Sequence, residues 1–151
     1  MRYDLKQWRA LMKGFTIVEF IVVVSIVGVL AAIAIPVYQD YGNTTQVRVL
    51  YAEVASYRAV VEERMASGKR AVSNEEIGFT QPRLAEPSTS FVTYDPEGTV
   101  SLSLMMGGAA SPSLVGVSIS TVRSIDGVWR CSINGSLAAG WKDRYRPVDC
   151  W

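Results

Sequence analysis

The chain contains no histidine, has only two cysteines, Cys131 and Cys150, and carries almost no surplus of either charge, with 15 Lys plus Arg against 14 Asp plus Glu. Each shortage closes off a class of function. Without histidine, the commonest general base and the commonest metal ligand are both missing, and two cysteines alone cannot build a zinc site of usual composition. The near-neutral balance gives the chain no bulk attraction to a polyanion. No paired-carboxylate pattern and no phosphate-cradling glycine motif is present, so the expectation is a non-enzymatic protein with no catalytic residue, metal or cofactor. At 151 residues, the length suits one domain, or a small domain with an appendage.

What the sequence does have is unevenly spread. Residues 1–14 hold Arg2, Lys6, Arg9 and Lys13 against the single acid Asp4, whereas the remaining 137 residues carry 11 basic and 13 acidic side chains. From Phe15 to Ile35 the only charge is Glu19, and the other polar members are Thr16 and Ser25. At the helical rise this run is about 31 Å long, the thickness of a bilayer's hydrocarbon core. A domain of this size has too little mass to wrap such a helix on all sides, so a membrane span is expected rather than a buried core helix. The basic residues ahead of it predict a cytoplasmic N-terminus and a C-terminal part on the far side of the membrane. A secretory signal peptide would need small residues closing the apolar run, yet the run passes through Ala31, Ala32 and Ala34 into Ile35, Pro36 and Val37. Gly14 lies at the near end instead, where a cut would keep the span in the mature chain.

The sequence Lys13-Gly14-Phe15-Thr16-Ile17-Val18-Glu19, followed by an apolar run to Pro36, resembles the prepilin signature of type IV pilins and their pseudopilin relatives. The resemblance implies cleavage between Gly14 and Phe15 by a membrane prepilin peptidase, with methylation of the new N-terminal Phe15. It divides the chain into a leader peptide (1–14), a hydrophobic transmembrane and assembly half-helix (15–36) and a periplasmic or extracellular pilin domain (37–151). The partners it implies are further copies in a homopolymer, the peptidase, the pilus assembly machinery and the lipid of the inner membrane. The expected location is the inner membrane before assembly and the extracellular pilus afterwards.

Glu19 needs a physical reason, because a carboxylate at the centre of a membrane helix costs about 2.5–3.5 kcal/mol. Cleavage after Gly14 converts the Phe15 amide nitrogen into an ammonium in the same low-dielectric layer. Between axially offset helices, that ammonium can meet Glu19 of a neighbouring copy, an attraction of about 4 kcal/mol at 4 Å before desolvation is subtracted. Lipid tails are as apolar as leucine, so hydrophobicity does not drive helices together there and a polar pair can set their register. Glu19 and Thr16 are therefore the candidate assembly residues.

Beyond the span, Val47, Leu50, Tyr51, Val54, Tyr57, Val61 and Met65 recur at helical spacing. The spacing predicts one helix from Phe15 to about Ser67, ended by Gly68, kinked at Pro36 and weakened at Gly28 and Gly42. Its apolar stripe is expected to pack on a sheet. A polar connection, 69–87, leads to four strand patterns: Phe91–Tyr94, a run through Val100, Leu102, Leu104 and Met106, a third through Val115, Val117 and Ile119, and a fourth from Val128 to Ile133. The fold class is therefore α+β and pilin-like, a long N-terminal α-helix against a four-stranded antiparallel sheet.

Cys131 and Cys150 fall in the part expected to leave the cytoplasm, where oxidation is allowed; they form either a disulfide or two buried thiols. The stretch from Trp129-Arg130-Cys131 through Tyr145-Arg146-Pro147-Val148-Asp149-Cys150 resembles the disulfide-bounded C-terminal loop of type IVa pilins, which implies the disulfide and favours a pilus subunit over a pseudopilin. Arg130, Trp141, Lys142, Arg144, Tyr145 and Arg146 in and beside that loop mix cations with aromatics, a composition suited to DNA or a host surface. Asp143 and Asp149 dilute the charge, and a solvated loop over packed aromatics explains the same residues. Two sequons, Asn43-Thr44-Thr45 and Asn134-Gly135-Ser136, complete the candidates.

Overall fold

The computed structural model describes residues 14–69 and 71–151, so the expected leader, with Arg2, Lys6, Arg9 and Lys13, lies outside the described residues except for Gly14. The chain divides into two units, one ending at Gln39 and the other running from Asp40 to Trp151.

In the first unit, α1 (Ile17–Ala66) begins and continues without interruption past Gly28 and Pro36. Its apolar side chains lie open, Phe20 being 60% exposed, and none of the most hydrophobic stretch is buried within the chain. Ser25 removes its own polar liability by donating its hydroxyl to the Ile21 carbonyl at 2.7 Å, a bond that lets a serine sit in an apolar helix. Pro36 brings no N–H, so the Ala32 carbonyl lacks its usual donor at that point.

In the second unit, the later part of α1 buries Asn43, Val47, Leu50, Val54 and Val61 along one stripe, with Tyr51, Tyr57 and Met65 half-buried beside it. The helix stops because Gly68 takes φ +87°, a left-handed conformation that costs glycine little. Its N–H donates to the Met65 carbonyl at 3.0 Å, and Lys69 N–H donates to the Arg64 carbonyl at 3.3 Å.

The strands are β1 (Val92–Tyr94), β2 (Val100–Met105), β3 (Ser118–Arg123) and β4 (Trp129–Asn134), in the order β1-β2-β3-β4 with every pair antiparallel. Val100, Leu102, Leu104, Ile119, Thr121, Cys131 and Ile133 alternate into the core, as a half-buried sheet requires. Burying each large aliphatic of this core is worth about 1.5–3 kcal/mol as an upper estimate. The α+β architecture expected from the sequence is the one observed. The third strand is displaced from its expected place: Gly116 adopts φ +92° and Val115 is exposed in a turn, so the strand begins at Ser118 and continues to Arg123. The 69–87 connection is pinned by aromatics, Phe79 stacking on Phe91 at 4.4 Å with Tyr57 edge-on to Phe91 at 5.1 Å.

Candidate functional site

At the start of α1, Gly14 and Phe15 are exposed ahead of the first helical turn. The backbone N–H of Thr16 donates to Glu19 Oε2 at 2.9 Å, its hydroxyl donates to the same oxygen at 2.8 Å, and Glu19 N–H donates to the Thr16 hydroxyl at 3.2 Å. Helix N-termini leave backbone donors unpaired, and this reciprocal arrangement satisfies two of them. Thr16-x-x-Glu19 is a capping-box pattern legible in the sequence. It gives Glu19 a role within its own chain, while Oε1 accepts no hydrogen bond among the described residues.

The second cluster belongs to the C-terminal loop. Cys131 and Cys150 form a disulfide. It brings the last residues alongside β4, where Trp151 N–H donates to the Cys131 carbonyl at 3.3 Å and Ile133 N–H donates to the Trp151 carbonyl at 3.0 Å. Within the loop, Asp143–Tyr145 form a single 3-10 turn that sends Lys142, Arg144 and Tyr145 towards one acceptor on α1, the carboxylate of Asp40. Lys142 Nζ lies 2.8 Å from Asp40 Oδ1 and Arg144 Nη2 lies 2.6 Å from Oδ2. The Tyr145 hydroxyl, on a side chain only 1% exposed, donates to Oδ1 and accepts from Asn43 Nδ2 at 3.5 Å.

These donors hold the Asp40 carboxyl below its ordinary range, Lys142 contributing most, then Tyr145, with the Arg144 charge adding to both. Lys142 moves the opposite way, above the usual lysine value, because its ammonium is bonded to Asp40. Asp40 was not among the sequence candidates. The signal for it was an isolated acid just past the apolar run, facing a loop whose own charges are mostly positive.

Trp141 and Arg146 meet around Asp143 instead. Trp141 Nε1 donates to Asp143 Oδ1 at 3.3 Å, Arg146 Nη2 reaches the same oxygen at 3.1 Å, and the Arg146 guanidinium lies over the Trp141 ring at 5.9 Å. Arg130 stands apart on the outward face of β4, exposed, its charge acting on Asp126. Of the six candidate contact residues, three converge on Asp40 and two on Asp143. A further unforeseen group ties the sheet to α1: Glu62 accepts from Arg123 at 2.7 and 3.1 Å and from Trp129 Nε1 at 2.7 Å. The Arg123 bonds chiefly hold the Glu62 carboxyl below its ordinary range. Among the described residues no group of acids and cysteines is arranged to hold a metal ion.

Residues 44–151 match the family model described as Pilin (bacterial filament). The chain is 39% identical to a fimbrial protein of Pseudomonas aeruginosa over 148 residues, covering 91% of this chain and 96% of that one. It is 33% identical to the type IV major alpha-pilin of Moraxella bovis, with 91% and 96% covered. Against a type IV major fimbrial protein of Dichelobacter nodosus, the identity is 30%, with 94% and 96% covered.

Proposed function

The chain belongs to the pilin family of bacterial filament subunits, and from that premise we propose how it is processed and assembled. It waits in the inner membrane with residues 1–14 in the cytoplasm, is cut by a prepilin peptidase between Gly14 and Phe15, and is methylated on Phe15. The assembly machinery then adds it to a homopolymer through α1. Its work is structural, and the resulting filaments serve adhesion, twitching motility or DNA uptake.

The observation that supports this reading best is the single carboxylate of Glu19 in the otherwise apolar, open stretch 15–35 at the start of α1. Thr16 occupies Oε2, which leaves Oε1 for the ammonium that cleavage creates on an adjoining copy. An uncleaved chain has no such cation, so proteolysis is the switch from anchored monomer to polymer. Gly28 and Pro36 are the two points at which the span bends once packed among its neighbours. Glu19→Ala should leave the protein inserted in the membrane but absent from filaments. Abundant normal filaments from that variant would contradict the switch.

A second role, as a minor subunit or a receptor for DNA or a host surface, draws support from Lys142 and Arg144, which stay 48% and 61% exposed despite their bonds to Asp40. Salt-sensitive binding of DNA that is lost on neutralising Arg130 and Arg144 would favour it, and no binding at low salt would eliminate it.

A further inference from the structure

The chain has three asparagines, and the fold treats them differently. Asn43 is 8% exposed on α1, bonds the Tyr145 hydroxyl through its amide nitrogen and precedes a β-branched threonine. Asn74 is tethered at both ends of its amide, Nδ2 donating to the Thr89 carbonyl at 3.0 Å and Oδ1 accepting from Val92 N–H at 3.1 Å, and it precedes Glu75. Asn134 differs in its exposure and in its neighbour. It is exposed where β4 ends, and its neighbour Gly135, though buried beneath Trp141, has no Cβ to block the approach of its nitrogen to Asn134 Cγ. Its Oδ1 accepts from Ser136 N–H at 2.9 Å, a bond that closes a turn around the Gly135 peptide and polarises the side-chain carbonyl.

We propose that Asn134 is a site of spontaneous, water-driven modification. The Gly135 nitrogen loses its proton and attacks Asn134 Cγ. The carbon to side-chain-nitrogen bond breaks, ammonia leaves, and a five-membered succinimide closes. Water then opens the ring at either carbonyl, giving an aspartyl or an isoaspartyl linkage. No oxidant or reductant takes part, and water is the sole co-reactant. The Ser136 bond supplies orientation, the glycine supplies a peptide nitrogen with no flanking side chain, and neither Asn43 nor Asn74 has both.

The product has a defined place to act. A Cβ on Gly135 would lie 2.2 Å from Trp141 Cγ, so the Trp141 ring rests directly on this glycine. Trp141 in turn packs edge-on against Tyr145, with ring centres 5.9 Å apart. An isoaspartyl linkage inserts a methylene into the backbone beneath that ring and adds a negative charge, loosening the loop from its floor.

The test uses the full-length chain purified from its filaments or membranes, incubated at mildly alkaline pH in heavy-oxygen water and mapped by peptide mass spectrometry. A parallel sample is unfolded in denaturant with its disulfide reduced. The expected result is conversion of the Asn134 peptide to both aspartyl and isoaspartyl forms carrying the water oxygen, at a rate in the folded chain at least equal to that in the unfolded one. The Asn43 and Asn74 peptides stay intact. An Asn134 that persists in the folded chain while converting in the unfolded one would overturn the proposal, as would a glycan already blocking it. Asn134→Gln, which keeps the amide but lengthens its reach, should abolish the conversion at this position.

Discussion

Asp40 on α1 and Arg144 in the disulfide-bounded loop form an ion pair of 2.6 Å, and Lys142 and Tyr145 bond the same carboxylate. One helical acid therefore organises the loop's basic edge and its buried tyrosine. Removing the charge leaves two cations and a phenol that share no acceptor, so the consequence is a loosened loop rather than a lost core.

This clasp depends on pH in a direction fixed by the depressed Asp40 carboxyl. A carboxylate whose folded value is lowered contributes stability that is full above about pH 5 and declines below about pH 4, where the unfolded form takes up protons that the folded form still resists. Glu62, lowered by Arg123 and Trp129, acts with the same sign. Thermal unfolding of the detergent-solubilised chain should show a midpoint that falls on acidification through that window. Asp40→Asn should lower the midpoint near neutrality and flatten its acid dependence. An unchanged acid profile in that variant would separate Asp40 from the loop's stability.

Thr16 and Glu19 make opposite predictions for capping and for assembly. If Glu19 matters only as a cap, Thr16→Ala and Glu19→Ala should impair filaments equally, since either change breaks the reciprocal bonds and costs about 1 kcal/mol of helix stability. If the carboxylate meets a neighbour's ammonium, Thr16→Ala should still assemble and Glu19→Ala should not. Electron microscopy and shearing yields from the two strains distinguish these outcomes.

Replacing both cysteines by serine should destabilise the folded chain by about 3 kcal/mol on the loop-entropy account of a cross-link of this span. The same change should release the C-terminal residues from the edge of β4. Hydrogen exchange at the Ile133 amide, which donates to the Trp151 carbonyl, should accelerate more than exchange within the β2–β3 pairing. Equal acceleration throughout would mean that the disulfide acts on the whole domain.

Much of this fold was legible because its elements announce themselves locally. The Val47 to Met65 stripe follows from helical spacing, and Gly68 marks the stop through its tolerance of positive φ. The displaced third strand shows where local pattern fails: Val115 and Val117 alternate correctly, but Gly116 between them turns the chain, so only Val117 is buried. Alternation alone cannot report a glycine's backbone angle. Asp40, Glu62 and Phe79 were not read because their partners lie far along the chain, and only the assembled helix and sheet bring them together. Thr16-x-x-Glu19 is the contrasting case, a local signal written in the sequence, because the two residues stand one helical turn apart and cap each other without any distant partner.

The central claim is that removal of residues 1–14 creates the cation Glu19 needs. Mass spectrometry of the N-terminal peptide from purified filaments tests this most directly. The account predicts a chain beginning at Phe15 and carrying one methyl group on its nitrogen. Filaments built from chains that still carry the leader joined to Phe15 would contradict it.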